Sequence, residues 1–239
     1  MLVRPARPLA AALALLGLMA AAPRASAETI NLTLNNSGTS VTYRPNGGSS
    51  TTVNGGPFHW TQSAPLNANY ATAVTTYCID LDQTVSTGGT YTYTVQTDLK
   101  LAPTIGTAAK AAVITELFDR YYNTSLTSAA SAAAFQLALW ELVYDGATSK
   151  SLTAGRIQGS NSLTTSMLNS LGGAYSTHDL AGYHLVALVS GTKQDQIMVV
   201  PDYCPPPPSA VPAPPGVVLA GIGFGSLLLG RLRFRKARA

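Results

Sequence analysis

The sequence predicts an α+β domain, a β-sandwich or barrel-like framework of strands into which a helical subdomain is inserted. Apolar residues alternate with a period of two between residues 28 and 100, and again between 183 and 200. Between these two stretches the apolar spacing lengthens to that of a helix. The chain has 239 residues, and a short apolar run near its end predicts a C-terminal transmembrane helix.

Glycine-containing turns bound the predicted strands. Asn46-Gly47-Gly48 and Asn54-Gly55-Gly56 mark turns early in the chain, and Gly88-Gly89 marks the turn between two later strands. Ser190-Gly191-Thr192 joins the closing pair. The predicted strands lie at residues 29–34, 40–43, 74–81, 91–96, 183–189 and 196–200.

Two helices are predicted in the middle of the chain. The first spans residues 108–122 and carries a Glu116–Arg120 pair one turn apart. Ser128 is a suitable N-cap for the second, which we expect to end near Tyr144, before Gly146. The polar stretch 148–171 has weaker helical signals.

The N-terminus has the pattern of a signal peptide. Arg4 and Arg7 precede an apolar stretch, and Ala25-Ser26-Ala27 is a small-residue cleavage site. Residues 1–27 are therefore predicted to be removed on export, leaving an extracellular domain at 28–203.

The C-terminus has three parts: a proline-rich linker at 204–215, an uncharged apolar run at 216–230 and a basic end at 231–239. Together with Val211-Pro212-Ala213-Pro214, this layout resembles the PEP-CTERM sorting tail of exported bacterial proteins, which has glutamate where this chain has Ala213. The resemblance implies an exosortase-type processing enzyme as a partner, a transient membrane anchor, and a final location on the cell surface or in the extracellular matrix. A plain single-pass tail anchor is the alternative.

The formal charge of +4 comes from the two ends of the chain. Three arginines lie in the predicted signal peptide and five cations in the tail, which leaves seven Lys and Arg against eleven Asp and Glu, a net −4. Nucleic-acid binding therefore has no electrostatic support.

We find no zinc-ligand spacing, no Ser/His/Asp arrangement and no motif that requires a cofactor, so a hydrolase is the weakest functional class.

Cys78 and Gln136 each occupy an unexpected position in their predicted elements. Strand alternation places Cys78 on the face opposite Tyr77, away from the aromatic and aliphatic set. Gln136 is the single polar residue in a wide apolar helix face, and a buried carboxamide without a partner costs about 1–3 kcal/mol. Backbone hydrogen bonds would satisfy Gln136; an internal thioester with a thiolate is the covalent alternative.

The two segments together are similar to the paired signature of bacterial thioester domains. The strand carries Tyr77-Cys78-Ile79-Asp80, and the helix carries Phe135-Gln136-Leu137-Ala138-Leu139-Trp140; Gly56-Pro57-Phe58-His59-Trp60 also resembles a segment of exported relatives. The resemblance implies a Cys78–Gln136 thioester shielded by Tyr77 and Trp140. It implies a covalent adhesion module, not an enzyme with turnover, that acylates an amine or hydroxyl of a surface protein or polysaccharide.

Two alternatives stay open. The same fold without the thioester would be a structural exopolysaccharide- or biofilm-associated protein. Cys204 would be left as a free or intermolecular thiol if Cys78 forms the thioester, whereas an even cysteine count in an exported chain also permits a Cys78–Cys204 disulfide.

Overall fold

The structure, a computed structural model, describes residues 27–148, 150–172, 180 and 182–202. The strands are β1 Thr29–Asn36, β2 Thr39–Pro45, β3 Thr51–Gly55, β4 Phe58–Gln62, β5 Ala73–Cys78, β6 Thr90–Gln96, β7 Ile157–Gln158, β8 Tyr183–Val189 and β9 Gln196–Pro201. The helices are α1 Ala108–Ser125, α2 Ala129–Tyr144 and α3 Ser162–Ser170, with a 3-10 helix at Leu99–Leu101.

Six strands close into a barrel in the order β1-β4-β5-β9-β8-β6, and β3, β2 and β7 form a separate small sheet. The pairings described for both sheets are antiparallel. The α+β prediction is therefore confirmed, and the strand framework is a barrel. Closure leaves the six barrel strands without a free edge.

The three α-helices lie between the barrel strands β6 and β8 in the sequence, as predicted. Ser128 caps α2, its side chain accepting a hydrogen bond from the backbone N–H of Ser131, and the helix ends at Tyr144. Gly146 follows with a positive φ of 98°, which a side chain would disfavour. In α1 the predicted Glu116–Arg120 ion pair forms at 2.8 Å.

One detail of the predicted strands is wrong. The strand expected at 74–81 ends at Cys78, because the backbone beyond it turns: the Leu81 N–H donates to the Tyr144 hydroxyl of α2, and the Asp82 N–H donates to the Asp80 carboxylate. The predicted turn at Gly88-Gly89 forms, and the Gly89 N–H donates to the carbonyl of Ser86. The strands on either side of it do not pair, since β5 pairs with β4 and β9. Gly88 and Gly89 exchange backbone hydrogen bonds with Leu34 at the end of β1. Closure of the barrel thus overrides the pairing of consecutive strands.

Strand β5 is buried on both faces, which positions the site. Tyr77 points outward against α1 and α2, with its ring 4.7 Å from that of Phe135. Cys78 shares the opposite face with Thr76 and pairs in register with Gln196 of β9. Cys78 therefore lies at the end of a barrel strand, directly beneath the helical layer.

The chain divides into two compact units, one ending at Val200 and one beginning at Pro201. Only the first two residues of the second unit are described. Among the described residues, no helix is long and apolar enough to cross a membrane. The predicted transmembrane run 216–230, the linker, the basic end and residues 1–26 lie outside the described residues.

Candidate functional site

Gln136 of α2 makes three buried hydrogen bonds, two with the backbone of Cys78 in β5 and one with the backbone of Gly56. Its Nε2 donates to the backbone carbonyl of Cys78 at 2.7 Å. Its Oε1 accepts from the backbone N–H of Cys78 at 3.1 Å and from that of Gly56 at 2.8 Å. Both residues are fully buried. The predicted pair is thus brought together, and the carboxamide is held against the backbone of the cysteine itself.

The turn at Gly55-Gly56 makes this approach possible. A Cβ on Gly55 would lie 2.7 Å from Cγ of Gln136 and 3.3 Å from the indole ring of Trp140. A Cβ on Gly56 would overlap the ring of Tyr77. Because neither glycine carries a side chain, the backbone can reach the carboxamide and present its N–H to Oε1.

Two backbone N–H groups converging on one carbonyl oxygen form the arrangement that stabilises an oxyanion. The distances of 2.8 and 3.1 Å from Oε1 lie in the range found in acyl-transfer sites. The same two bonds also satisfy a buried amide in an unreactive core. The geometry therefore permits acyl chemistry at Cδ of Gln136 and equally serves packing.

The thiol of Cys78 is protonated at neutral pH. Burial raises its pKa to about 12, and the indole N–H of Trp140 opposes this shift by favouring the thiolate. Sγ donates to the backbone carbonyl of Asp80 at 3.0 Å. Among the described residues, Cys78 forms no disulfide. Cys204, its alternative partner, lies outside the described residues.

Tyr77 and Trp140, the predicted shielding residues, are both fully buried. The hydroxyl of Tyr77 pairs with Ser125 Oγ at 2.6 Å, and its ring packs on Phe118 and Phe135. Trp140 packs against Tyr43 of β2 with ring centroids 5.6 Å apart. Its Nε1 has no partner at hydrogen-bonding distance within the described part of the chain, although the indole N–H still favours the Cys78 thiolate.

A polar frame surrounds the cysteine at the barrel end. Nε2 of Gln194 donates to the carbonyl of Asp80, the same oxygen that accepts from the Cys78 thiol. Oε1 of Gln196 accepts from Thr76, which in turn accepts from the indole of Trp60. The frame fixes the backbone on both sides of Cys78.

Sequence reasoning missed two features of the site. Gly56 supplies an N–H to Gln136, and the only sequence signal was its place in the glycine pair before Phe58. Glu141 is a second fully buried polar residue on α2, although Gln136 was expected to be alone. Burial raises the pKa of Glu141 to about 8. Its position on the same helix, five residues after Gln136, gave no sign that both faces would be covered.

The described residues contain no cluster of His, Cys, Asp and Glu that could hold a metal ion. The predicted sorting residues Val211, Pro212, Ala213 and Pro214 lie outside the described residues.

No protein-family model matches the chain, and no curated protein or solved structure matches it. The functional assignment therefore rests on the geometry of Cys78 and Gln136.

Proposed function

We propose that this chain is an exported surface protein that forms an internal thioester between Cys78 and Gln136 and uses it once to acylate a partner. The observation that carries the proposal is the pinning of the Gln136 carboxamide to the Cys78 backbone, with two N–H groups on Oε1. Because no group is regenerated for turnover, the domain is a covalent adhesion module and not an enzyme.

Thioester formation begins with attack of Cys78 Sγ on Cδ of Gln136. The N–H groups of Gly56 and Cys78 stabilise the negative charge that develops on Oε1. The C–N bond breaks, and the amide nitrogen leaves as ammonia with the thiol proton. Because a thiol whose pKa is about 12 is a weak nucleophile, its proton must pass to the amide nitrogen as Sγ attacks.

Acyl transfer then takes place at the same carbon, with sulfur as the leaving group. An amine or hydroxyl of the partner attacks Cδ, the C–S bond breaks, and the proton of the nucleophile passes to the Cys78 sulfur. Burial of Cys78, Gln136, Tyr77 and Trp140 keeps bulk water from the bond before the partner arrives.

Intact mass tests this proposal directly. The exported protein, purified without denaturant, should weigh one ammonia less than its sequence, and methylamine should add across the bond. Cys78→Ala and Gln136→Ala should each abolish both effects. Gln62→Ala is the matched control, since the side chain of this buried glutamine bonds, among the described residues, to the backbone of Asn67, Tyr70 and Ala71.

An unmodified mass in the freshly purified wild-type protein would contradict the thioester. The structural alternative, an exopolysaccharide- or biofilm-associated protein with the same fold, is supported by one observation. The hydrogen bonds of Gln136 already satisfy its buried carboxamide without a covalent bond.

The C-terminal sequence supports a sorting route for the same protein. The apolar run 216–230 would hold the chain in the membrane until an exosortase-type enzyme cuts near Val211-Pro212-Ala213-Pro214. Release to the cell surface or matrix would follow. Mature surface protein that retains Arg238 would instead indicate a permanent tail anchor.

A further inference from the structure

The indole N–H of Trp140 is a buried donor without a partner. Trp140 is fully buried, and no acceptor lies at hydrogen-bonding distance from its Nε1 within the described part of the chain. An indole N–H can only donate, and the ring fixes its direction, so it cannot turn towards another acceptor. Leaving such a group unsatisfied in the resting protein costs stability. Trp140 is therefore a candidate for a role in the chemistry as well as in packing.

Packing places the indole beside the side chain that carries the acyl carbon. Trp140 follows Gln136 by one turn of α2, so the two side chains lie on the same face of the helix. They meet at Gly55, where a Cβ would lie 2.7 Å from Cγ of Gln136 and 3.3 Å from Cη2 of Trp140. Tyr43 packs against the indole with ring centroids 5.6 Å apart. The ring is thus held in place next to the reactive glutamine.

The indole N–H also acts on the sulfur of Cys78. Burial raises the pKa of the Cys78 thiol to about 12, and the Trp140 N–H opposes this rise because it favours the thiolate. A backbone hydrogen bond with Asp80 acts in the same direction. The carbonyl of Asp80 accepts both from the thiol and from Nε2 of Gln194, and an acceptor cannot stabilise a negative sulfur. Among the described residues, Trp140 thus supplies the side-chain donor for a negative sulfur.

The need of this sulfur for a donor changes during acyl transfer. In a thioester the sulfur is neutral and a weak acceptor, as it is in a thiol. When a nucleophile attacks Cδ and the C–S bond breaks, the bonding electron pair goes to the sulfur, which becomes a strong acceptor. A donor already in place in a water-excluded site stabilises that charge without reorganisation. A donor that is unsatisfied before the reaction and bonded during it lowers the barrier.

Other buried polar atoms without a partner suit this role less well. The hydroxyls of Tyr93 and Thr104 can rotate, so neither has a fixed donor direction. Oε1 of Gln83 is an acceptor. Oε2 of Glu141 belongs to a carboxyl that has Asp145 as its neighbour. Trp140 combines a fixed donor direction with packing against the reactive glutamine.

We propose that the indole N–H of Trp140 donates to the Cys78 sulfur as the thioester opens, and thereby accelerates acyl transfer. This inference rests on the proposed thioester. The nucleophile bonds to Cδ of Gln136, the C–S bond breaks with its electron pair on the sulfur, and the proton of the nucleophile then neutralises the thiolate. The two backbone N–H groups serve Oε1, and the indole N–H serves Sγ, so each atom that gains charge has a donor.

The rate of methylamine addition to the exported protein, followed by intact mass, tests this role. Trp140→Phe keeps an aromatic ring but removes the N–H, and should slow the addition about tenfold, the effect of one hydrogen bond. Tyr121→Phe is the matched control, because it removes an aromatic hydroxyl that pairs with Ser170 Oγ in the same helical layer, and it should leave the rate unchanged. A role in packing alone predicts the opposite sign for Trp140→Phe, since a loosened layer admits methylamine faster.

A second measurement reads the sulfur without the thioester. In a Gln136→Ala background no thioester can form, and methyl methanethiosulfonate modifies Cys78 through its thiolate. Adding Trp140→Phe should slow this modification about threefold, because the thiolate becomes scarcer but more nucleophilic. Adding Tyr121→Phe should leave the rate unchanged. Mass spectrometry of the Cys78 peptide separates this thiol from Cys204.

Each contrary result has its own meaning. Methylamine addition that is as fast or faster in Trp140→Phe overturns the proposal, and so does an unchanged or faster modification of Cys78. If Trp140→Phe does not form the thioester, the modification of Cys78 decides. A wild-type protein with neither the mass deficit nor the methylamine reaction contradicts the thioester itself, whereas the modification of Cys78 still reports on Trp140, so the two failures are distinguishable.

Discussion

The two tryptophans of this chain are both buried, but they differ in whether the indole N–H has a hydrogen-bond partner. Trp60, inside the barrel, is 1% exposed and donates to Thr76 Oγ1 at 2.8 Å. Trp140, between α2 and the β2–β3 hairpin, is equally buried, but its Nε1 has no hydrogen bond within the described residues. The two side chains are thus buried to a similar extent, but only Trp60 has its indole N–H hydrogen-bonded.

The difference separates the barrel from the helical layer that carries the proposed thioester glutamine. In the barrel, Trp60, Thr76 and Gln196 form a continuous hydrogen-bonded chain, although the hydroxyl of Tyr93 is left without a partner. In the helical layer, unpaired atoms of Trp140 and Glu141 lie on the helix that carries Gln136. Buried groups that lack partners tend to be kept where they serve chemistry.

Truncation of either ring gives the largest expected effect. Trp60→Ala and Trp140→Ala should each lower the free energy of unfolding by about 3–5 kcal/mol, because both rings are fully packed. Denaturant titration measures the loss. A loss well below 1 kcal/mol for Trp140→Ala would mean that the helical layer contributes little to the fold, and the comparison would fail.

Replacement by phenylalanine sharpens the comparison. Both Trp60→Phe and Trp140→Phe remove similar volume, but only the first removes a formed hydrogen bond. Trp60→Phe should therefore cost about 1–3 kcal/mol more than Trp140→Phe in the same titration. Equal losses would show that the indole of Trp140 is satisfied in solution, for example by the sulfur of Cys78.

The pH dependence of stability tests the comparison through a titrating group of the helical layer. Burial raises the folded pKa of Glu141 to about 8, from a usual value near 4.5. Between these values the folded state keeps a proton that the unfolded state has lost, so stability should fall as pH rises from about 4.5 to 8. Glu141→Gln should flatten this slope in thermal unfolding followed across that range.

Asp195 provides the matched control for Glu141. Burial raises its pKa to about 6, so Asp195→Asn should remove slope only between about 4 and 6. A slope that persists from 6 to 8 in Glu141→Gln would place the titrating group elsewhere. It would also weaken the view that the helical layer holds the less satisfied polar groups.

Local patterns predicted much of the fold. The cap at Ser128, the end of α2 before Gly146 and the hairpin of the closing strands all follow from side-chain chemistry within a few residues. The pairing of strands was harder to predict from the sequence, since the Gly88-Gly89 turn bonds to β1 and does not close a β5–β6 hairpin. Barrel closure depends on contacts far apart in the chain.

The sequence by itself determined which residues are unusual: a cysteine off the apolar face of its strand and a glutamine in an apolar helix face. Periodicity can identify such residues because it depends only on local spacing. Only the tertiary structure decided that the Gly56 N–H completes the site and that the backbone N–H groups of Gly56 and Cys78 meet on Oε1 of Gln136. Those features arise where a hairpin, a barrel strand and a helix meet across 58 and 80 residues of sequence separation, which no local pattern encodes.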